Sequence, residues 1–91
     1  MNSTTTKRFW DLFYALPPEV RRQARRAFKL FQQNPSHPGL QFKQVMKHRD
    51  GWSVRINDDY RAIGIRKGAA IEWAWIGDHT TYEQIIHGRR P

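Results

Sequence analysis

Histidine and tyrosine stand three residues apart in the run Gly77-Asp78-His79-Thr80-Thr81-Tyr82, and their chemistry suits proton movement. An imidazole titrates near neutrality and a phenol can donate a proton, so the pair can serve acid–base chemistry at a phosphodiester. Asp78 is a helix-capping residue type, able to accept from a backbone N–H two or three positions on. A helix beginning there puts positions i and i+3 on one face, which sets His79 beside Tyr82. The structural alternative is that Tyr82 packs on the sheet edge and His79 completes a turn.

Cations are the second requirement of such a site. Sixteen Lys and Arg against eight Asp and Glu give a net charge of +8 and a pI near 10.6. That balance marks a polyanion binder or a protein with an acidic partner. Residues 1–67 hold fourteen basic and five acidic side chains, whereas residues 68–91 hold two and three, so the positive field belongs to the first part. Arg55 and Arg61 are the strand arginines placed to grip phosphate through a planar guanidinium fork. Lys43 and Lys47 edge the same region. Arg55 on an exposed face can equally be a solvated charge, and Arg61 can pair with Asp58 or Asp59 at little energetic gain. Arg21, Arg22, Arg25, Arg26 and Lys29 read as a solvated helix face that can also anchor structured RNA by counterion release.

The elements that must position these groups follow from periodicity. Phe9, Leu12, Phe13 and Leu16 form a helical stripe that Pro17-Pro18 ends. A second helix runs from Pro18 to about Asn34, with Val20, Ala24, Ala27, Phe28 and Phe31 inward. Strand patterns follow at Leu40 to Lys43, Trp52 to Ile56, Tyr60 to Arg66 and Ala69 to Ile76, with an Asp50-Gly51 hairpin turn between the first two. Trp52, Val54 and Ile56 share one face; Ser53 and Arg55 share the other. Arg61 has the parity of Ile63 and Ile65, which calls either for a bulge or for Arg61 at the strand entrance. Trp73 and Trp75 also share parity, so one of them can be exposed; Trp10 and Trp52 are expected in the core. Helices before strands predict an α+β fold: an N-terminal helical hairpin packed on an antiparallel β-sheet of about four strands, with a short C-terminal helix. The sheet face away from the hairpin is left free for function.

Ninety-one residues suit one domain, spanning residues 1–91. The absence of cysteine excludes disulfides and a thiolate metal site. Asp58 and Asp59 lie on one turn with no third ligand, and no metal or small-molecule cofactor is expected. No apolar leader or membrane-length segment is read, so a cytoplasmic protein without membrane contact is expected. The arginines, His79 and Tyr82 supply what metal-free RNA cleavage needs: a base for the ribose 2′-hydroxyl, positive charge on the phosphate, and an acid for the 5′-oxygen. DNA has no 2′-hydroxyl and is closed to this route.

Pro35-x-x-Pro38-x-Leu40-x-Phe42-Lys43, Trp52-Ser53-Val54-Arg55-Ile56, Tyr60-Arg61-Ala62-Ile63-Gly64 and Trp75-Ile76-Gly77-x-His79-x-x-Tyr82 together resemble the RelE/ParE superfamily of bacterial type II toxins, nearest its RelE- and HigB-like branches. The resemblance runs from about Phe9 to Ile86. It implies a toxin that enters the ribosomal A site, against 16S rRNA, and cuts translated mRNA as an mRNA interferase. It implies a cognate antitoxin that covers the basic face. Arg55 and Arg61 match the family's phosphate-holding strand arginines. His79 and Tyr82 fall where members carry acid, base or stacking residues, and Lys43 and Lys47 fall among the RNA-contacting lysines. ParE-like members of the same fold inhibit DNA gyrase instead, and a non-catalytic nucleic-acid-binding module is a third reading. The first strand usual in the family is expected to be absent, since Asn2 to Lys7 is short and polar. Glu72 is the positional candidate for the carboxylate base of some members.

Overall fold

The computed structural model describes residues Met1–Gly88. Strand β1 (Asn2–Thr5) leads into helix α1 (Lys7–Tyr14) and helix α2 (Pro18–Gln33). A single 3-10 turn over Pro38–Leu40 precedes strands β2 (Lys43–Met46), β3 (Gly51–Arg55), β4 (Tyr60–Lys67) and β5 (Ala70–Asp78), and helix α3 (His79–Ile86) follows. The architecture is α+β, as expected. The sheet has five strands in the order β1-β5-β4-β3-β2. Neighbours are antiparallel except β1, which runs parallel to β5 with Asn2 opposite Ala70 and Thr5 opposite Trp73.

The existence of β1 corrects the expectation of a missing first strand, and makes the sheet mixed. All four of its residues are exposed, so no hydrophobic pattern announces it. Backbone pairing holds it instead, extended at its ends by Asn2 N–H to the Ala69 carbonyl at 3.2 Å and Thr6 N–H to the Trp73 carbonyl at 3.0 Å. Thr6 then caps α1 by accepting from the Phe9 N–H at 3.1 Å. The Pro17-Pro18 pair separates the helices, with Pro18 in the first turn of α2 where its missing donor costs nothing. The first sequence strand also shifts: Leu40 belongs to the 3-10 turn and is buried, and pairing begins only at Lys43. Asp50 takes the left-handed φ of 49° that the hairpin demands. Its carboxyl accepts from the Trp52 ring N–H at 2.7 Å and from Gln44 at 2.9 Å, and those bonds hold it below the usual carboxylate range.

Helices α1 and α2 close one face of the sheet. Phe9, Phe13, Ala24 and Phe31 meet Val54, Ala62, Ile71, Trp73 and Ile76 there. Phe31 sits 5.3 Å from the Trp73 ring in an edge-on contact, and Phe28 sits 5.0 Å from it. Each such fully buried side chain contributes roughly 1.5–3 kcal/mol relative to exposure. The inner sides of α1 and α2 thus fix the plane of the sheet.

The two C-terminal tryptophans do not share a face. Ile63 pairs with Trp75 and Gly64 with Trp73, so Ala74 is an extra residue in β5. This bulge reverses the alternation. Trp73 goes to the helical-hairpin side, Trp75 goes to the opposite side, and both are buried. The bulge lies in β5, not β4, and Arg61 simply occupies the second position of β4 on the outer face with Ile63. Trp10, expected in the core, is instead 40% exposed, with its ring N–H donated to Thr5 Oγ1 at 2.7 Å.

The outer face is not bare. Helix α3 lies across it, and Tyr82 packs with Ile63 and Trp75 in a second, smaller core flanked by Val45, Met46, Ile85 and Ile86. Among the described residues no helix is long and apolar enough to cross a membrane.

Gly64 lies against core side chains of β5. A Cβ there meets Ile71 Cγ1 at 2.7 Å and Trp73 Cε3 at 2.8 Å. Gly64→Ala is expected to lower stability by about 1–3 kcal/mol through overpacking, read as a reduced midpoint in urea unfolding.

Candidate active site

Asp78 is the N-cap of α3, as its residue type predicts. Its side chain accepts from the Thr81 N–H at 2.9 Å and from the Thr81 hydroxyl at 3.0 Å. The backbone bond from Thr81, with further help from its hydroxyl, draws the Asp78 carboxyl below its ordinary value. The His79 N–H donates to the Asp59 carbonyl at 2.8 Å, tying the start of α3 to the turn between β3 and β4. That turn leads directly into Arg61. The cap and this one bond therefore bring an imidazole to the strand arginine.

His79 and Tyr82 are side by side, their rings 5.6 Å apart. Their surroundings differ. Tyr82 is 3% exposed, and its hydroxyl shares a 3.0 Å hydrogen bond with the buried Ser53 hydroxyl on β3. The phenol is thus a sheet-packing group that fixes the ring beside His79. The His79 side chain is 44% exposed and remains accessible.

A groove of about 380 Å³ opens between α3 and the outer face, with Lys43, Arg61, His79, Tyr82, Glu83 and His87 on its walls. Arg61 enters it anchored: its Nη1 donates to the Asn57 carbonyl at 2.5 Å and to the Tyr60 carbonyl at 2.9 Å. A guanidinium has five N–H donors, so Nε and Nη2 are left to form a fork toward an anion. The expected pairing of Arg61 with Asp58 or Asp59 does not occur. Arg55 takes that place, binding Asp58 across the turn. Although Arg55 lies opposite Arg61 in the β3–β4 register, it is not among the groove's walls. Lys47 is also separate, exposed in the turn beyond β2.

Glu72, the positional candidate for a carboxylate base, does not line the groove. Glu72 sits 3.8 Å from Lys67 Nζ near the opposite end of β5. The carboxylate of the groove is Glu83, with Oε1 3.3 Å from His79 Nε2 and Oε2 2.8 Å from His87 Nε2. Both contacts span four residues of α3, a helical spacing visible in the sequence. His37 accepts the Gly39 N–H at Nδ1 over 3.0 Å. No group of three His, Cys, Asp or Glu side chains arranged to hold a metal ion occurs among the described residues.

The helical cations are partly committed to structure. Arg21 donates to the Leu16 carbonyl at 2.6 Å, Arg22 pairs with Glu19, and Arg25 stands 4.8 Å above the Phe13 ring. These three side chains keep their charge but are partly engaged in holding the hairpin.

A helical hairpin on a mixed sheet, with a cationic groove beneath a terminal helix, makes a small basic α+β domain. The profile of the ParE-like toxin domain family matches residues 18–84, and the chain belongs to that family, within the RelE/ParE superfamily of toxins. Solved structures agree on the fold. A chain of the RelB–RelE antitoxin–toxin complex from Methanococcus jannaschii is 14% identical with a TM-score of 0.72, over 90% of this chain and 96% of that one. YafQ from Escherichia coli BL21(DE3) is 8% identical with a TM-score of 0.71, over 89% and 96%. The YoeB/ParE toxin from Agrobacterium tumefaciens is 15% identical with a TM-score of 0.68, over 87% and 99%. No curated protein sequence matches.

Asp78→Ala removes the cap that orients His79 and is expected to cost about 1 kcal/mol, measured by chemical unfolding near neutral pH. Because the folded carboxyl titrates below the unfolded value near 3.8, this contribution is complete above that value and fades as pH falls through the lowered folded one. The stability gap between wild type and variant should therefore narrow in strong acid.

Proposed function

We propose that this chain is the toxin of a type II toxin–antitoxin pair, acting over residues 1–91 as a ribosome-dependent mRNA endonuclease that stops translation. The observation that carries the reading is the convergence of Arg61, Lys43 and His79 on one groove. His79 takes the proton of a ribose 2′-hydroxyl, and O2′ attacks the adjacent phosphorus. The P–O2′ bond forms, the P–O5′ bond breaks as O5′ takes a proton from water, and the products are a 2′,3′-cyclic phosphate and a 5′-hydroxyl. Arg61, held at Nη1 by two carbonyls, turns its remaining donors to the crowded phosphate, and Lys43 adds charge at the rim. Tyr82 orients the His79 ring and takes no proton. Arg55 and Lys47 add to the field that draws RNA in. Metal is not required by these steps.

A protein of this charge pairs with an acidic antitoxin that neutralises the groove and its rim; the M. jannaschii relative is itself part of an antitoxin–toxin complex. The matching of the ParE-like family profile favours a second reading, inhibition of DNA gyrase through a binding surface. A third, nucleic-acid binding without cleavage, keeps the cationic groove but leaves His79 without a task.

Sequencing RNA 5′ ends after brief induction in a bacterial host separates the three. Cleavage within translated codons, with His79→Ala folded and weaker by about 10²–10⁴-fold, is the expected result. Accumulated cleaved DNA–gyrase complexes with intact transcripts would contradict it, as would RNA binding with no new ends.

A further inference from the structure

The buried Tyr82 hydroxyl leaves the groove with one proton carrier where strand scission needs two. A second imidazole is present. His87 caps the end of α3, is exposed, and lines the same groove as His79. It lies beyond the segment that matches the family profile, so it is a feature of this chain rather than of that shared segment. Between the two rings stands Glu83, one carboxylate oxygen for each.

Building on the proposed cleavage, we propose that His87 is the general acid of the groove, and that Glu83 is the positioning residue that holds His79 and His87 as an acid–base pair. A carboxylate only accepts, so the His87 ring presents its Nε2–H to Glu83 and has Nδ1 as its other nitrogen, while His79 Nε2 faces the second carboxylate oxygen. Charge-assisted bonds strengthen as they shorten. His87, at 2.8 Å, makes the closer contact with the carboxylate and is assigned the proton to be delivered; His79, at 3.3 Å, is assigned the role of acceptor. In the reaction His79 gains the 2′-hydroxyl proton as the P–O2′ bond forms. His87 delivers its own proton to O5′ as the P–O5′ bond breaks. The pair ends with its protonation exchanged, and bulk water resets it. Lys43 from β2, Arg61 from β4, and Tyr82 and Glu83 from α3 are the charged and titratable groups facing the two rings.

The test uses ribosomes programmed with two RNAs, one ordinary and one with a bridging 5′-sulfur at the scissile bond, whose thiolate leaves without a proton. Wild type should cut both. His87→Ala should lose about 10²-fold or more on the ordinary RNA and recover on the sulfur RNA, whereas His79→Ala should fail on both. Glu83→Gln should weaken ordinary cleavage by less than His87→Ala and be partly rescued by sulfur. His87→Ala that cuts ordinary RNA as wild type does, or that stays inactive on both RNAs while folded by circular dichroism, overturns the inference and leaves the proposed function standing. If that variant does not fold, His87→Gln is judged by the same two outcomes. Wild type that cuts neither RNA overturns the proposed function and this inference together.

Discussion

One unpaired residue in β5, Ala74, decides how the molecule is layered. Without it Trp73 and Trp75 point to the same side, and the helical hairpin has two indoles to cover. With it, one indole completes the main core and the other needs a separate cover. Helix α3 supplies that cover through Tyr82, Ile85 and Ile86. The cost of leaving Trp75 in water is what pulls the C-terminal segment back over the sheet. The groove is the gap that remains between a helix held down by its apolar side and the strands it crosses.

The same constraint explains why the site groups are so unequal. Side chains on the inward side of α3 become structural, and Tyr82 is locked to Ser53 across 3.0 Å. Side chains on its rim, His79, Glu83 and His87, stay reachable and face Lys43 and Arg61. Arg61 is rigid because the β3–β4 turn offers it two carbonyls, and Arg55 is compensated because the same turn offers it Asp58. A turn of few residues thus assigns two adjacent arginines to different work.

Much of this was readable in sequence where local chemistry decides the outcome. Asp78 is a capping residue before a helical spacing, and it caps. Asp50-Gly51 is a hairpin signal, and the chain turns there. The α1 and α2 stripes and the Val54 face needed only periodicity. What escaped depends on partners distant in the chain. Asn2–Thr5 has no apolar alternation, since its strand is held by backbone bonds to β5. Nothing in Trp73-Ala74-Trp75 marks a bulge; the competition of two cores for two indoles creates it. The four-residue spacing of His79, Glu83 and His87 is the helical signal that marks Glu83 and His87 in the sequence. The Tyr82 phenol was assigned proton chemistry because its type permits it, whereas the Ser53 bond that commits it comes from a strand twenty-nine positions earlier.

The groove, rather than the cationic hairpin, is where this account places RNA. Titrating a short RNA, 2′-O-methylated so that it cannot be cut, into isotope-labelled protein tests that placement by chemical-shift mapping. The account predicts perturbations centred on Lys43, Arg61, His79, Glu83 and His87. Perturbations confined to Arg22, Arg26 and Lys29 of α2, with the groove silent, would contradict it.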